Sequence, residues 1–215
     1  MADQNCKTCR RLGTKLFLKG EKCFSPKCPM LRRPYPPGRR KRRRRNVSEY
    51  GRELQEKQKL RNWYNLGETQ FKNYVKDVLK KRARSSKGIK EEKDAPTLLI
   101  QKLESRFDNI VFRMGFAHSR PQARQLISHG HFLINGRKVN IPSRQLKKGD
   151  KVGIAKRSKK SNTFKDLPTI LKKKEAPSWL SINVSKLEGE VKSLPTLEEV
   201  APPVEISMIF EFYSR

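Results

Sequence analysis

Acidic residues are scarce in this 215-residue chain. It carries 21 Asp and Glu against 51 Lys and Arg, a formal net charge of +30. A compact body with that surplus repels itself unless a polyanion is present, so an acidic partner is expected. Apolar residues are sparse too: 34%, or about 40% with glycine counted, against about 45–50% in an ordinary soluble domain. A modest core is expected, not a large one. No apolar run reaches about 18 residues, so no membrane-spanning helix and no membrane partner are expected. Met1-Ala2-Asp3-Gln4-Asn5-Cys6 leads into no apolar stretch, so no secretory signal is expected. The compartment is read as the cytoplasm, where thiols stay reduced. A glycine-rich phosphate loop is missing, because Gly136-Arg137-Lys138 stands without the rest of that motif. Asp108 and Glu104 lie four apart on an expected helix, and one of them is read as capping or pairing with a nearby arginine, not as half of an acid–base pair. With no catalytic constellation in view, the chain is expected not to be an enzyme.

The charge that is present is unevenly placed. Residues 1–45 carry +14, 46–104 carry +5, 105–155 carry +8 and 156–174 carry +7, whereas 175–215 carry −4. The basic regions point to nucleic acid and the acidic tail to packing on protein. Leu31 to Gly38 is rich in proline, and Arg39 to Arg45 is a run of seven basic residues. Clustered prolines forbid helix and the charge opposes burial, so an extended arm is expected. Ser48 is expected to cap a helix carrying Tyr50, Leu54, Leu60 and Tyr64, which Gly67 breaks. Phe71, Tyr74, Val75, Val78 and Leu79 share a stripe of a second helix starting near Glu68. Residues 84–94 read as a polar loop. A third helix is expected from Ala95 to Met114. Ser119 then caps a shorter one, with Pro121 in its first turn, Gln122 three residues on and Gly130 at its end. Phe132 to Ile134 and Arg137 to Val139 flank Asn135-Gly136, a hairpin signal, since both residues tolerate positive φ. Lys151 to Ala155 is a further strand and 156–174 a basic connector. Trp179 to Val184 and Ile206 to Tyr213 read as strands.

All four cysteines fall within the first 28 residues. Cys6 and Cys9 are separated by two residues, and Cys23 and Cys28 by four. Two close thiolate pairs joined by a short loop suit tetrahedral zinc. An iron–sulfur cluster suits four thiolates as well, and disulfides or unrelated thiols are the other readings. Four cysteine ligands leave no open position, so a metal here would be structural. Lys7, Arg10, Arg11, Lys22 and Lys27 can offset its thiolate charge.

Two surfaces are expected to meet RNA. The arm, Arg39, Arg40, Lys41, Arg42, Arg43, Arg44 and Arg45, can neutralise phosphates and release counterions. In the capped helix, Arg120 and Arg124 lie four apart on one face while Ala123, Leu126 and Ile127 anchor the other. The hairpin beside it presents Asn135, Arg137 and Lys138. A rigid short helix next to a hairpin suits the shape and backbone of a structured RNA. His118, His129 and His131 show no metal spacing.

In order along the chain stand Lys15-Leu16-Phe17-Leu18-Lys19-Gly20-Glu21 among the cysteines, Arg33-Pro34-Tyr35-Pro36-Pro37-Gly38, and Ser48-Glu49-Tyr50-Gly51 with Leu54-Gln55-Glu56-Lys57-Gln58-Lys59. Leu103-Glu104-Ser105-Arg106-Phe107-Asp108-Asn109 and Ala123-Arg124-Gln125-Leu126-Ile127-Ser128-His129-Gly130 follow, and the chain ends Glu211-Phe212-Tyr213-Ser214-Arg215. This series resembles the bacterial-type family of protein four of the small ribosomal subunit, in a four-cysteine variant, nearly end to end. Arg39-Arg40-Lys41 replaces the Gln-His-Gly common in that family. The resemblance implies an α+β fold. A zinc-knot N-terminus and basic arm would occupy 1–46, a mainly helical body 47–104, an inserted helix–hairpin RNA-binding module 105–170, and a C-terminal segment packing back on the body 171–215. It implies a primary binder of small-subunit ribosomal RNA that nucleates assembly and contributes to decoding accuracy with ribosomal protein five. It also implies a lining for the channel by which mRNA enters the ribosome, with Arg43 and Arg44 as the arm residues carried over. Some members repress their own message. An RNA-modifying enzyme sharing the module would need a catalytic domain, and residues 156–215 are too short for one.

Overall fold

The computed structural model describes residues 4–38, 47–85, 94–159, 161–173 and 176–214. The chain divides into two units, one of residues 1–99 with 201–215 and one of residues 100–200. The expected arm, Arg39 to Arg45, lies outside the described residues, as does most of the expected loop 84–94.

Three short helices, α1 (Gln4–Leu12), α2 (Glu21–Phe24) and α3 (Pro29–Arg32), open the first unit. They surround a small apolar cluster of Cys9, Leu16 and Leu18, with Leu12, Met30 and Trp63 against it. Helix α4 (Glu49–Trp63) starts where the sequence predicts, with the Ser48 hydroxyl accepting a hydrogen bond from the Gly51 N–H at 3.2 Å. This satisfies one of the donors a helix start leaves open. Helices α5 (Glu68–Ser85) and α6 (Ala95–Glu104) follow.

The second unit begins within α6 and continues through α7 (Phe107–Arg113), α8 (Arg120–Ser128), β1 (Phe132–Ile134), β2 (Arg137–Lys138) and β3 (Lys151–Ile154). Then come α9 (Lys156–Lys159), α10 (Asn162–Lys165), α11 (Leu167–Lys173), β4 (Leu180–Asn183), β5 (Glu188–Val191) and α12 (Leu197–Val200). The five strands form one antiparallel sheet in the order β2-β1-β3-β5-β4. Its inward residues Phe132, Ile134, Val152, Ile154, Leu180 and Val191 pack on Ile110, Val111, Ala123 and Ile127 from the helices. Phe132 sits at the centre, with Phe107, Phe116 and Phe164 ring centroids 6.0–6.2 Å away. The β1–β2 turn is the predicted one: Asn135 has φ +49° and Gly136 φ +81°, as a two-residue hairpin loop requires.

Three sequence expectations need correction. The helix expected from Ala95 to Met114 breaks at Ser105-Arg106. Arg106 takes an extended conformation, bridges to Gln145 and turns its guanidinium onto Asp108. The basic connector 156–174 instead folds as α9 to α11 and contributes Phe164, Leu167 and Leu171 to the core. The strand expected at Ile206 to Tyr213 is helix α13 (Ile206–Ser214). Its alternating apolar residues also fit a helix, because Ile206 and Ile209, three apart, are the buried pair.

Helix α13 belongs to the first unit and packs on α4 and α5. There Lys57, only 5% exposed, donates to Glu68 Oε1 at 2.6 Å. Its ammonium lies 4.4 Å from the Phe212 ring centroid. The Tyr213 hydroxyl donates to the same carboxylate at 3.0 Å, and Arg61 to Oε2 at 3.1 Å. Burial pushes the Glu68 carboxyl up, but the hydrogen bonds from Lys57 and Tyr213 and the charges of Lys57 and Arg61 outweigh it and hold it below the usual range. Burial and the Glu68 charge push the Tyr213 phenol well above its ordinary value.

Tyr213→Phe is expected to lower the unfolding free energy by about 1 kcal/mol in urea titrations at pH 7. A depressed carboxylate stabilises the fold above its unfolded pKa and loses that contribution as pH falls through the folded one. The deficit is therefore expected to shrink in acid. An equal deficit at both pH values would remove ionised Glu68 from this clamp.

Candidate nucleic-acid interface

The cysteine segment organises the first charged surface. Cys6 and Cys9 lie three apart on α1, Cys23 on α2, and Cys28 immediately before α3. Cys9, Cys23 and Cys28 are buried, Cys6 is half-buried, and none is in a disulfide. All four line one small pocket together with Asn5, Lys15, Leu18, Lys19, Pro29 and Met30. The Lys19 N–H donates to Cys23 Sγ at 3.4 Å, and a backbone hydrogen bond from Leu16 reaches Cys9. Burial pushes the Cys9 thiol up, and its three fellow cysteines add to that. Among the described residues, no group of three or more His, Cys, Asp or Glu is at metal-holding distance. The donor set is nonetheless one that a thiophilic ion fits, with four sulfurs on one cavity and backbone N–H groups aimed at two of them.

The outer side of the same helices forms a cavity of about 420 Å³ lined by Cys6, Lys7, Arg10, Lys27, Pro29, Arg32 and Arg33. Five of these seven are cations and none is acidic. Arg10 Nε donates to the carbonyls of Arg33 and Tyr35, both at 2.9 Å, and its guanidinium lies 5.1 Å from the Tyr35 ring centroid. Arg10 thereby ties the Pro-rich segment to α1. Sequence reasoning took Lys7, Arg10 and Lys27 as counterions for thiolates and left out Arg32 and Arg33. The available signal was the spacing of Lys7 and Arg10, which places them close together on one helix.

In the second unit, α8 begins as predicted. The Ser119 hydroxyl accepts from the Gln122 N–H at 3.4 Å, and the Gln122 side chain accepts from the His118 N–H at 2.8 Å. Arg120 and Arg124 do not share an exposed face. Arg120 is 6% exposed, donates to Asn109 Oδ1 at 2.8 Å and lies 4.7 Å from the Phe112 ring centroid, whereas Arg124 is half-buried. Asn135 secures the turn: its amide donates to Asp150 at 2.8 Å and its carbonyl oxygen accepts from the Lys151 N–H at 2.9 Å. Arg137 and Lys138 are exposed. Lys138 lies across Gly130, where a Cβ would come within 2.2 Å of its Cε, so the missing side chain makes room for it. The ring of His131 stacks near His129 and its Nδ1 is 2.9 Å from Ser158 Oγ. Burial, with the His129 and Lys138 charges, lowers its pKa.

The carboxylates beneath this surface act as struts. Arg106 grips Asp108 through two hydrogen bonds, 3.0 and 2.6 Å. Arg113 grips the fully buried Glu104 likewise, at 3.0 and 2.8 Å. Asn109 donates to Glu104 at 2.6 Å and accepts from Arg120, so α6, α7 and α8 meet in one polar network. Both acids pair with arginines, where the sequence reading expected capping or pairing of only one.

The described residues thus form a cation-rich helical unit and a helix–hairpin unit on a small sheet, a scaffold of basic surfaces. Residues 1–99 match the family described as ribosomal protein S4/S9 N-terminal domain, and residues 105–152 match the S4 domain. The small ribosomal subunit protein uS4 of Caldicellulosiruptor bescii is 44% identical over 211 residues, covering 98% of this chain and 97% of the relative. That of Thermus thermophilus is 44% identical over 211 residues, covering 98% and 96%. That of Halothermothrix orenii is 45% identical over 210 residues, again covering 98% and 96%. The chain belongs to the uS4 family of small ribosomal subunit proteins.

Arg113→Ala leaves Glu104 buried without its bidentate partner and is expected to cost about 3 kcal/mol in urea unfolding, part of it recovered by adding Glu104→Gln. A cost well below about 1 kcal/mol would show that Glu104 is not held as an ion.

Proposed function

We propose that this chain is a structural, non-enzymatic component of the small ribosomal subunit and binds that subunit's ribosomal RNA. The observation that carries this reading is the match to uS4 proteins along 98% of the chain. The physics agrees with it: five cations on one cavity and a net charge of +30 suit a phosphate backbone. Lys7, Lys27, Arg32 and Arg33 serve as phosphate contacts, with Arg10 positioning their loop. On the second unit, Arg124, Arg137 and Lys138 face the RNA, while buried Arg120 and turn-bound Asn135 hold the elements that present them.

The finer parts of the role follow the family resemblance. The chain nucleates assembly as an early RNA binder and supports decoding accuracy with ribosomal protein five. The basic arm lines the channel by which mRNA enters, with Arg43 and Arg44 as the residues carried over from the family. Cys6, Cys9, Cys23 and Cys28 hold one structural Zn²⁺, supported by their shared pocket and the N–H groups directed at Cys9 and Cys23. A bound zinc would supply no chemistry here beyond joining α1, α2 and the start of α3.

Two measurements test this. Lys7→Gln with Lys27→Gln and Arg32→Gln is expected to lower the slope of log affinity against log salt for small-subunit rRNA by up to about 3. An unchanged slope would place these residues outside the interface. Elemental analysis of the purified full chain is expected to find one zinc per chain, lost in Cys23→Ser with Cys28→Ser. Iron in place of zinc would make the site a cluster, and neither metal would end the metal reading.

A further inference from the structure

The knot carries two aromatic rings that its own packing does not use. Phe17 and Phe24 stack with ring centroids 5.0 Å apart and planes inclined by 29°. Phe24 is 74% exposed and Phe17 is 37% exposed. Neither belongs to the apolar cluster of Cys9, Leu16 and Leu18, nor to the residues packed against it. Phe17 has φ +52°, a left-handed conformation that bulky side chains seldom adopt. Its neighbours Leu16 and Leu18 are both buried, so this unfavourable backbone separates an outward ring from two inward leucines. The Lys15 ammonium stands 5.1 Å from the Phe17 ring centroid.

Stacked exposed rings edged by a cation match what an unpaired nucleotide offers. A nucleotide has a base π-face for the ring and a backbone phosphate for the ammonium, and stacking of this kind tolerates any base. Residues 15–28 carry Lys15, Lys19, Lys22 and Lys27 against the single acid Glu21, which favours a polyanion over a protein neighbour. We propose that Phe24, backed by Phe17 and flanked by Lys15, is a stacking platform for one unpaired base of the RNA. This rests on the RNA-binding role proposed above and adds to it a contact that does not depend on phosphate charge.

The probe is a transcript of the small-subunit rRNA, bound by the full chain. Phe24→Ala is expected to weaken binding about tenfold with the salt slope unchanged. Phe24→Trp is expected to keep wild-type affinity, and its added emission to be quenched when the transcript binds. This second variant decides the matter if Phe24→Ala folds poorly. Unaltered affinity in Phe24→Ala, or emission from Phe24→Trp that ignores the RNA, would overturn the platform while leaving the RNA-binding role intact. A wild-type chain that fails to bind the transcript would remove both. Full RNA affinity in Phe24→Ala with failure to join reconstituted subunits would show that the ring meets a protein, which also overturns the proposal.

Discussion

With 21 carboxylates for 51 cations, single acids are shared, and three of them each hold two or three groups at once. Glu68 receives Lys57, Arg61 and Tyr213, and so draws α4, α5 and α13 together. Glu104 receives Arg113 and Asn109, and Asp108 receives Arg106, which fixes the break between α6 and α7. The pairs at Asp108 and Glu104 are buried and add little net stability, because desolvating the charges offsets most of their attraction. They do fix geometry, since breaking one leaves a buried charge. The remaining surplus of positive charge is left on surfaces that only a polyanion can neutralise.

The knot shows how local chemistry arranges that surplus. Its four sulfurs and a handful of leucines draw α1, α2 and α3 into contact around a very small core. On the other side of α1 and α3, the cations of two chain segments about twenty residues apart come to line one cavity. They repel one another there, and the same helices that gather the cysteines hold them in place. Arg10 extends this by fixing the carbonyls of Arg33 and Tyr35, just ahead of the basic arm.

Features set by neighbouring residues were legible in the sequence. The caps Ser48 and Ser119 and the turn Asn135-Gly136 each follow from short-range rules, and each appears as expected. Features set by distant residues were not. Arg120 and Arg124 look equivalent at a spacing of four, but Asn109 and Phe112 from α7 bury the first and so change its task. The run from Ile206 to Tyr213 alternates like a strand, and packing on α4 and α5 makes it a helix. Leu103 and Phe107 fit one helical stripe, yet Arg106 breaks it to reach Asp108 and Gln145. The basic cavity depends on α1 meeting α3, a contact with no local sequence signal.

That this fold carries unbalanced surface charge is tested most directly by melting the RNA-free full chain across about 50 to about 500 mM KCl. Salt screens exposed like charges strongly and buried pairs weakly. The melting temperature is expected to rise steadily with salt as repulsion is relieved. A flat or falling melting temperature would contradict this, since it would show that the exposed cations are already balanced within the protein.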